Sequence, residues 1–148
     1  MADTITLGFV CVQNAGRSQM ASAFAEVERE KRGLEGTVEI VTGGTHPADS
    51  VHDVVLEIMG ELCFDLSDRI PRAVSNEELA DCDIVATMGC STLELDADTE
   101  IRDWALDDPD GVPIDDARRI RDTVRENVRT LFDDVEATLK KQQGTVDR

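Results

Sequence analysis

Ile5-Thr6-Leu7-Gly8-Phe9-Val10-Cys11-Val12-Gln13-Asn14-Ala15-Gly16-Arg17-Ser18 decides how this chain is read. Ile5 to Val12 is continuously apolar and rich in β-branched residues, the pattern of a strand covered on both faces. Asn14-Ala15-Gly16 interrupts it. From Ser18 the apolar residues take helical spacing, with Met20, Ala23, Phe24 and Val27 on one side, and Arg32-Gly33 closes the helix. A buried strand, a tight loop and a helix form the opening unit of a parallel α/β sheet.

The alternation continues outward from this unit. Val38 to Val41 reads as a second strand stopped by Gly43-Gly44, Val51 to Leu62 as a helix, and Asn76 to Ala80 as a short helix. Ile84 to Thr87 is a third strand and Ile101 to Trp104 a short fourth. Ala117, Ile120, Val124, Val128, Leu131, Val135 and Leu139 keep i+3/i+4 spacing through a long last helix, which Asp115 and Asp116 begin. The expectation is one α/β domain over residues 1–148, a four-stranded parallel sheet with helices on both faces. Its polar tail, 139–148, is expected to fray. In such sheets the site lies beyond the carboxyl ends of the strands, which puts residues 11–18 where chemistry is expected.

The loop is a cysteine, five residues, an arginine and a serine. Its backbone N–H groups can turn inward beside the positive end of the following helix, making a cradle for an oxyanion from Val12, Gln13, Asn14, Ala15, Gly16, Arg17 and Ser18. Asn14 and Gly16 tolerate left-handed backbone in so tight a turn. Arg17 can hold two oxygens of a tetrahedral anion, the same field favours a Cys11 thiolate, and Ser18 can donate to that sulfur. A buried strand-end thiol is the plain alternative for Cys11 alone. A nucleotide-binding loop is excluded because the lysine it needs is absent.

Composition narrows the partners. With 15 Lys+Arg against 32 Asp+Glu in 148 residues, the net charge is −17, which speaks against nucleic acid and against an anionic membrane surface. No apolar run is long enough to span a bilayer, and Met1-Ala2-Asp3-Thr4 is a poor export signal, so a cytoplasmic protein is expected. Cys11, Cys63, Cys82 and Cys90 are too sparse for a disulfide scaffold. No C-x2-C pair occurs, and His46 and His52 are the only histidines, so no metal site is expected. Cys63 and Cys82 read as packing residues. Arg118, Arg121, Arg125 and Arg129 form a helical stripe interleaved with Asp122 and Glu126, which reads as a solvated face.

C-V-Q-N-A-G-R-S-Q-M-A at 11–21 resembles the signature of low-molecular-weight protein tyrosine phosphatases and of the arsenate reductases built on their fold. The resemblance runs through Val41 to Thr45, Ala86 to Cys90 and Asp103 to Pro109 into the Ile120-to-Phe132 helix. Asp103-Trp104-Ala105-Leu106-Asp107-Asp108-Pro109 and Thr87-Met88-Gly89-Cys90 look more like the reductases, particularly those coupled to small-molecule thiols. It implies that Asp108 is the general acid, with Asp107 and Asp110 as neighbouring rivals, and that Cys90 is the thiol that resolves a Cys11 adduct. The thioredoxin-coupled relatives carry a further cysteine a few residues on, where this chain has Ser91-Thr92-Leu93-Glu94-Leu95. Either Cys90 or an external thiol then takes the second step.

The function this implies is reduction of arsenate to arsenite, with no tightly bound cofactor and with a low-molecular-weight thiol or a thioredoxin- or glutaredoxin-like protein as reductant. The chain would act as a monomer or homodimer. A phosphatase is the alternative, and a non-catalytic oxyanion-binding module a lesser one. The chain has no tyrosine to wall an aryl ester, and Asp110-Gly111-Val112 follows Pro109, which favours a small inorganic anion.

The charge also carries a condition. Self-repulsion of this size destabilises a compact chain in dilute buffer, and at ~1 M salt the screening length shrinks to ~3 Å. The melting temperature is therefore expected to climb as KCl is raised from ~0.1 M to ~1 M. A flat or falling curve contradicts a salt-adapted protein.

Overall fold

In β1 (Ile5–Cys11) successive side chains enter opposite faces of the sheet, and both faces are apolar. Ile5, Leu7, Phe9 and Cys11 join the main core, whereas Val10 joins a second, smaller one. The computed structural model describes residues 4–88 and 99–146, with side chains to residue 141. β2 (Val38–Gly44), β3 (Ile84–Thr87) and β4 (Glu100–Asp103) complete a four-stranded, fully parallel sheet of order β2-β1-β3-β4. Cys11 stands opposite Gly44, and Val10 opposite Thr87, so the strand ends share one edge.

Helices α1 (Arg17–Lys31), α2 (Asp53–Gly60) and α4 (Ile114–Val146) cover one face. Met20, Phe24, Val55, Ile58, Val124, Val128 and Phe132 meet Leu7 and Phe9 there. Fully burying a side chain such as Phe9 or Phe132 contributes roughly 1.5–3 kcal/mol. The other face carries α3 (Asn76–Ala80), whose Leu79 packs with Val10, Cys82 and Val85. Helices on both faces are thus present, but unequally.

Several boundaries differ from those read in the sequence. β2 does not stop at Gly43-Gly44 but runs through both. The glycines are there for close approach: a Cβ on Gly43 would lie 2.5 Å from Val74 Cβ, and one on Gly44 2.6 Å from Val12 O. α4 does not end near Leu139 and continues to Val146. Cys63 does not pack: it is exposed at φ 69, the left-handed position that closes α2, where its N–H reaches Gly60 O and that of Phe64 reaches Met59 O. Gly33 (φ 68) closes α1 in the same way.

The arginine stripe of α4 is not a solvated face either. Arg121 is buried and donates to Ile58 O at 2.9 Å and to Glu61 at 2.8 Å, while Arg118 grips Glu61 at 2.7 Å. The two guanidiniums, Arg118 foremost, draw the Glu61 carboxyl down to about 2. They clamp the end of α2 onto α4. Arg32 similarly joins α1 to Asp133 and Glu136 of α4. Among the described residues no helix is long and apolar enough to cross a membrane.

Candidate active site

Cys11 ends β1 with its side chain 2% exposed, and its sulfur accepts two contacts. Ser18 Oγ lies 2.9 Å from Sγ, and the Asn14 amide donates to it at 3.2 Å. Both are contacts that a sulfur anion accepts well. Asn14 Nδ2 in turn donates to Ser18 Oγ at 2.7 Å, which leaves the serine hydroxyl hydrogen to point at the sulfur.

The carbonyls of the loop are all engaged from outside it. Thr45 N donates to Cys11 O, His46 N to Val12 O, Ala48 N to Gln13 O and His52 N to Ala15 O. Gln19 Nε2 donates to Asn14 O at 3.0 Å. Among the described residues no peptide is cis, so each of these carbonyls points opposite to the N–H of the next residue. Drawing the carbonyls of residues 11–15 outward therefore turns the amides of residues 12–16 inward. The Asn14 amide does reach the sulfur, and among the described residues no protein group accepts from the amides of Gln13, Ala15, Gly16, Arg17 or Ser18.

Asn14 is the residue that bends the loop. Its φ is 51, a conformation costing a non-glycine residue roughly 1–3 kcal/mol. Its side chain offsets that cost with a full set of partners: Nδ2 donates to Ser18 and to Thr42 Oγ1 at 3.0 Å, and Oδ1 accepts from Gln19 and from the Arg72 amide at 3.1 Å. Gly16, by contrast, is not left-handed. Its φ is −142, and its bare Cα makes room for Pro109, whose Cγ would lie 3.3 Å from an added Cβ.

α1 leaves its positive end open. Gly16 provides no side-chain cap and the first turn holds no acid, while α2, α3 and α4 all begin with acids. Arg17 is buried at that end and donates to Leu106 O at 2.8 Å. Asp108 Oδ2 faces the same guanidinium at 4.0 Å, and Asp108 Oδ1 accepts from the Asp110 amide. Asp107 lies elsewhere, in a hollow with Val112, Asp116, Arg119 and Ile120.

The structure therefore gathers Cys11, Asn14, Arg17, Ser18 and Asp108 at one edge. Cys90 lies outside the described residues. Cys82 stays in the smaller core, where burial, aided by Asp83, Asp81 and Glu78, pushes its thiol up to about 11. Trp104 lies against Phe9, ring centroids 6.0 Å apart. Gln19, Thr42 and Arg72 brace the loop, and nothing local in the sequence points to them. No spacing rule marks them, because two come from distant segments and the third looks like an ordinary helical residue.

The low molecular weight phosphotyrosine protein phosphatase family model matches residues 6–144. The chain belongs to this family. It is 67% identical over 135 residues, 90% of its length and 95% of the relative's, to a Halobacterium salinarum protein whose name places it provisionally among the arsenate reductases. It is 31% identical over 128 residues to the glutaredoxin arsenate reductase of a Synechocystis strain, covering 84% of this chain and 93% of that one. The thioredoxin-dependent arsenate reductase of Corynebacterium glutamicum superposes with a TM-score of 0.76 at 28% identity. That match covers 92% of this chain and 64% of the longer relative.

Beneath the loop, a Cβ on Gly44 would sit 2.6 Å from Val12 O and 2.9 Å from Asn14 N. Gly44→Ala is expected to displace the loop backbone and weaken phosphate or sulfate binding about tenfold or more, since such a backbone shift disturbs several amide donors at once. Titration calorimetry with either anion checks this, and unchanged affinity would mean that the loop is not fixed from below.

Proposed function

We propose that this chain is a cytoplasmic arsenate reductase, working as one domain over 1–148, in which Cys11 is the nucleophile of a C-x5-R oxyanion loop. The observation that carries the reading is the outward anchoring of the loop carbonyls around a buried sulfur. That arrangement supplies inward N–H donors for a tetrahedral anion, with Arg17 available for two of its oxygens.

In the first step the Cys11 sulfur attacks arsenic, an As–S bond forms, and one oxygen leaves as water. Asp108 delivers the proton that this oxygen needs, since it stands across Arg17 from the loop. Ser18 and the Asn14 amide steady the sulfur before attack. In the second step a thiolate attacks the Cys11 sulfur. An S–S bond forms, the S–As bond breaks with its electron pair left on arsenic, and As(V) departs as arsenite, As(III). Two thiols have become one disulfide, and two external thiols, or one dithiol, return the two electrons and are themselves oxidised to a disulfide. Cys90 is the intramolecular candidate for that thiolate. A low-molecular-weight thiol or a thioredoxin- or glutaredoxin-like protein is the external reductant, in keeping with the names of the relatives.

Phosphorus cannot follow the second step, because its trivalent oxyacid is too high in energy to leave. A phosphatase would share only the first step, and it would need an aromatic wall for an aryl ester. With no tyrosine in the chain and Trp104 packed on Phe9, the surroundings favour a small inorganic anion.

Purified protein supplied with arsenate and a reduced thiol is expected to release arsenite, with p-nitrophenyl phosphate turned over weakly or not at all. Cys11→Ser should abolish both reactions, Asp108→Asn should slow the first step about 10²–10⁴-fold, and Cys90→Ser should stop single-turnover arsenite release when no thiol is added. Ester hydrolysis without arsenite would make the chain a phosphatase. Activity surviving in Cys11→Ser would remove the whole assignment.

A further inference from the structure

The geometry points to Gln19 as the positioning residue that sets how tightly the loop holds its oxyanion; this rests on the loop being the substrate site. Four of the five outward carbonyls, those of Cys11, Val12, Gln13 and Ala15, are held by backbone N–H groups. Only the carbonyl of Asn14 is held by a side chain, that of Gln19. The Ala15 amide owes its inward direction to that bond.

Gln19 is the third residue of α1 and is 2% exposed. Its Nε2 donates both hydrogens to the same residue, one to Asn14 O at 3.0 Å and one to Asn14 Oδ1 at 3.1 Å. Its own Oε1 has no protein partner among the described residues. Turning the amide round would set that oxygen against two acceptors, so only this orientation is chemically consistent. The contacts the structure gives this buried amide are its N–H pair. That pair does two things: it pulls the Asn14 carbonyl out of the cradle, and it fixes the Asn14 side chain that feeds Ser18 and, through Ser18, the sulfur.

The test is sulfate binding by calorimetry, because sulfate stays doubly charged from about pH 5 to about pH 8. Gln19→Met fills a similar volume without donating. It is expected to lose about tenfold in sulfate affinity, as for one or two hydrogen bonds, with Tm little changed and with KM for arsenate raised more than kcat falls. Gln19→Glu sets a carboxylate against two oxygens at pH 8. It is expected to bind far more weakly than wild type there and to approach the wild-type affinity measured at the same pH near pH 5, where burial keeps the carboxyl protonated and its O–H donates again; the ratio of the two affinities cancels the titration of Cys11 and Asp108, which both proteins share. Should Gln19→Met fail to fold, the pH response of Gln19→Glu decides alone, recovery supporting the role and a flat response overturning it. Affinities within about twofold of wild type in both variants, at every pH, overturn it as well. A wild type that binds no sulfate would instead strike down the oxyanion site, and this inference with it.

Discussion

A peptide unit cannot point its carbonyl and the following N–H to the same side, and the site is built on that constraint. Residues 11–15 have their carbonyls taken by the segment 45–52 and by Gln19, so the amides that follow them turn inward, and that of Asn14 reaches the Cys11 sulfur. The segment 45–52 follows β2, and it reaches the loop because β2 runs parallel to β1 in register, Cys11 against Gly44. At the end of β2, Gly44 keeps the underside of the loop free of a side chain, and Gly43 makes room for Val74. The sheet, its crossover and the glycine pair together hold one loop in a shape it would not keep alone.

An anion site in a chain of net charge −17 needs a local field that outweighs the global one. Distant carboxylates act through water and are screened within about 8 Å at physiological salt, and within ~3 Å at 1 M. An anion inside the cradle would touch its donors directly, and the Arg17 charge there is buried away from competing water. The acids that open the other helices are missing from the first turn of α1. A relative of the chain comes from a halophile, which matches a surface suited to strong salt. Exposed carboxylates and an oxyanion site coexist because the first act at long range and the second at contact.

Much of this was legible in the sequence. Continuous apolar strands, helical spacing after Ser18 and the long apolar stripe of the last helix gave the fold class, because they are local patterns of one segment. The placement of Cys11 and Arg17 followed from one strand–loop–helix unit. What escaped depends on contacts between segments. Gly43-Gly44 looked like a stop and is strand, since the need for glycine comes from Val74 and the loop above. Arg118 and Arg121 looked solvated because Glu61 is remote in sequence. Cys63 looked like core, yet it ends a helix in a conformation usually given to glycine. Gln19 kept its meaning hidden within a helix whose spacing it does not disturb.

Amide chemical shifts during a sulfate titration of the uniformly 15N-labelled protein test the central claim most directly. The account predicts that the largest shifts fall on the amides of residues 12–18 and the Arg17 side chain, and that they saturate together with a single affinity. Shifts spread over surface residues, with the loop amides unmoved at saturating sulfate, would contradict it.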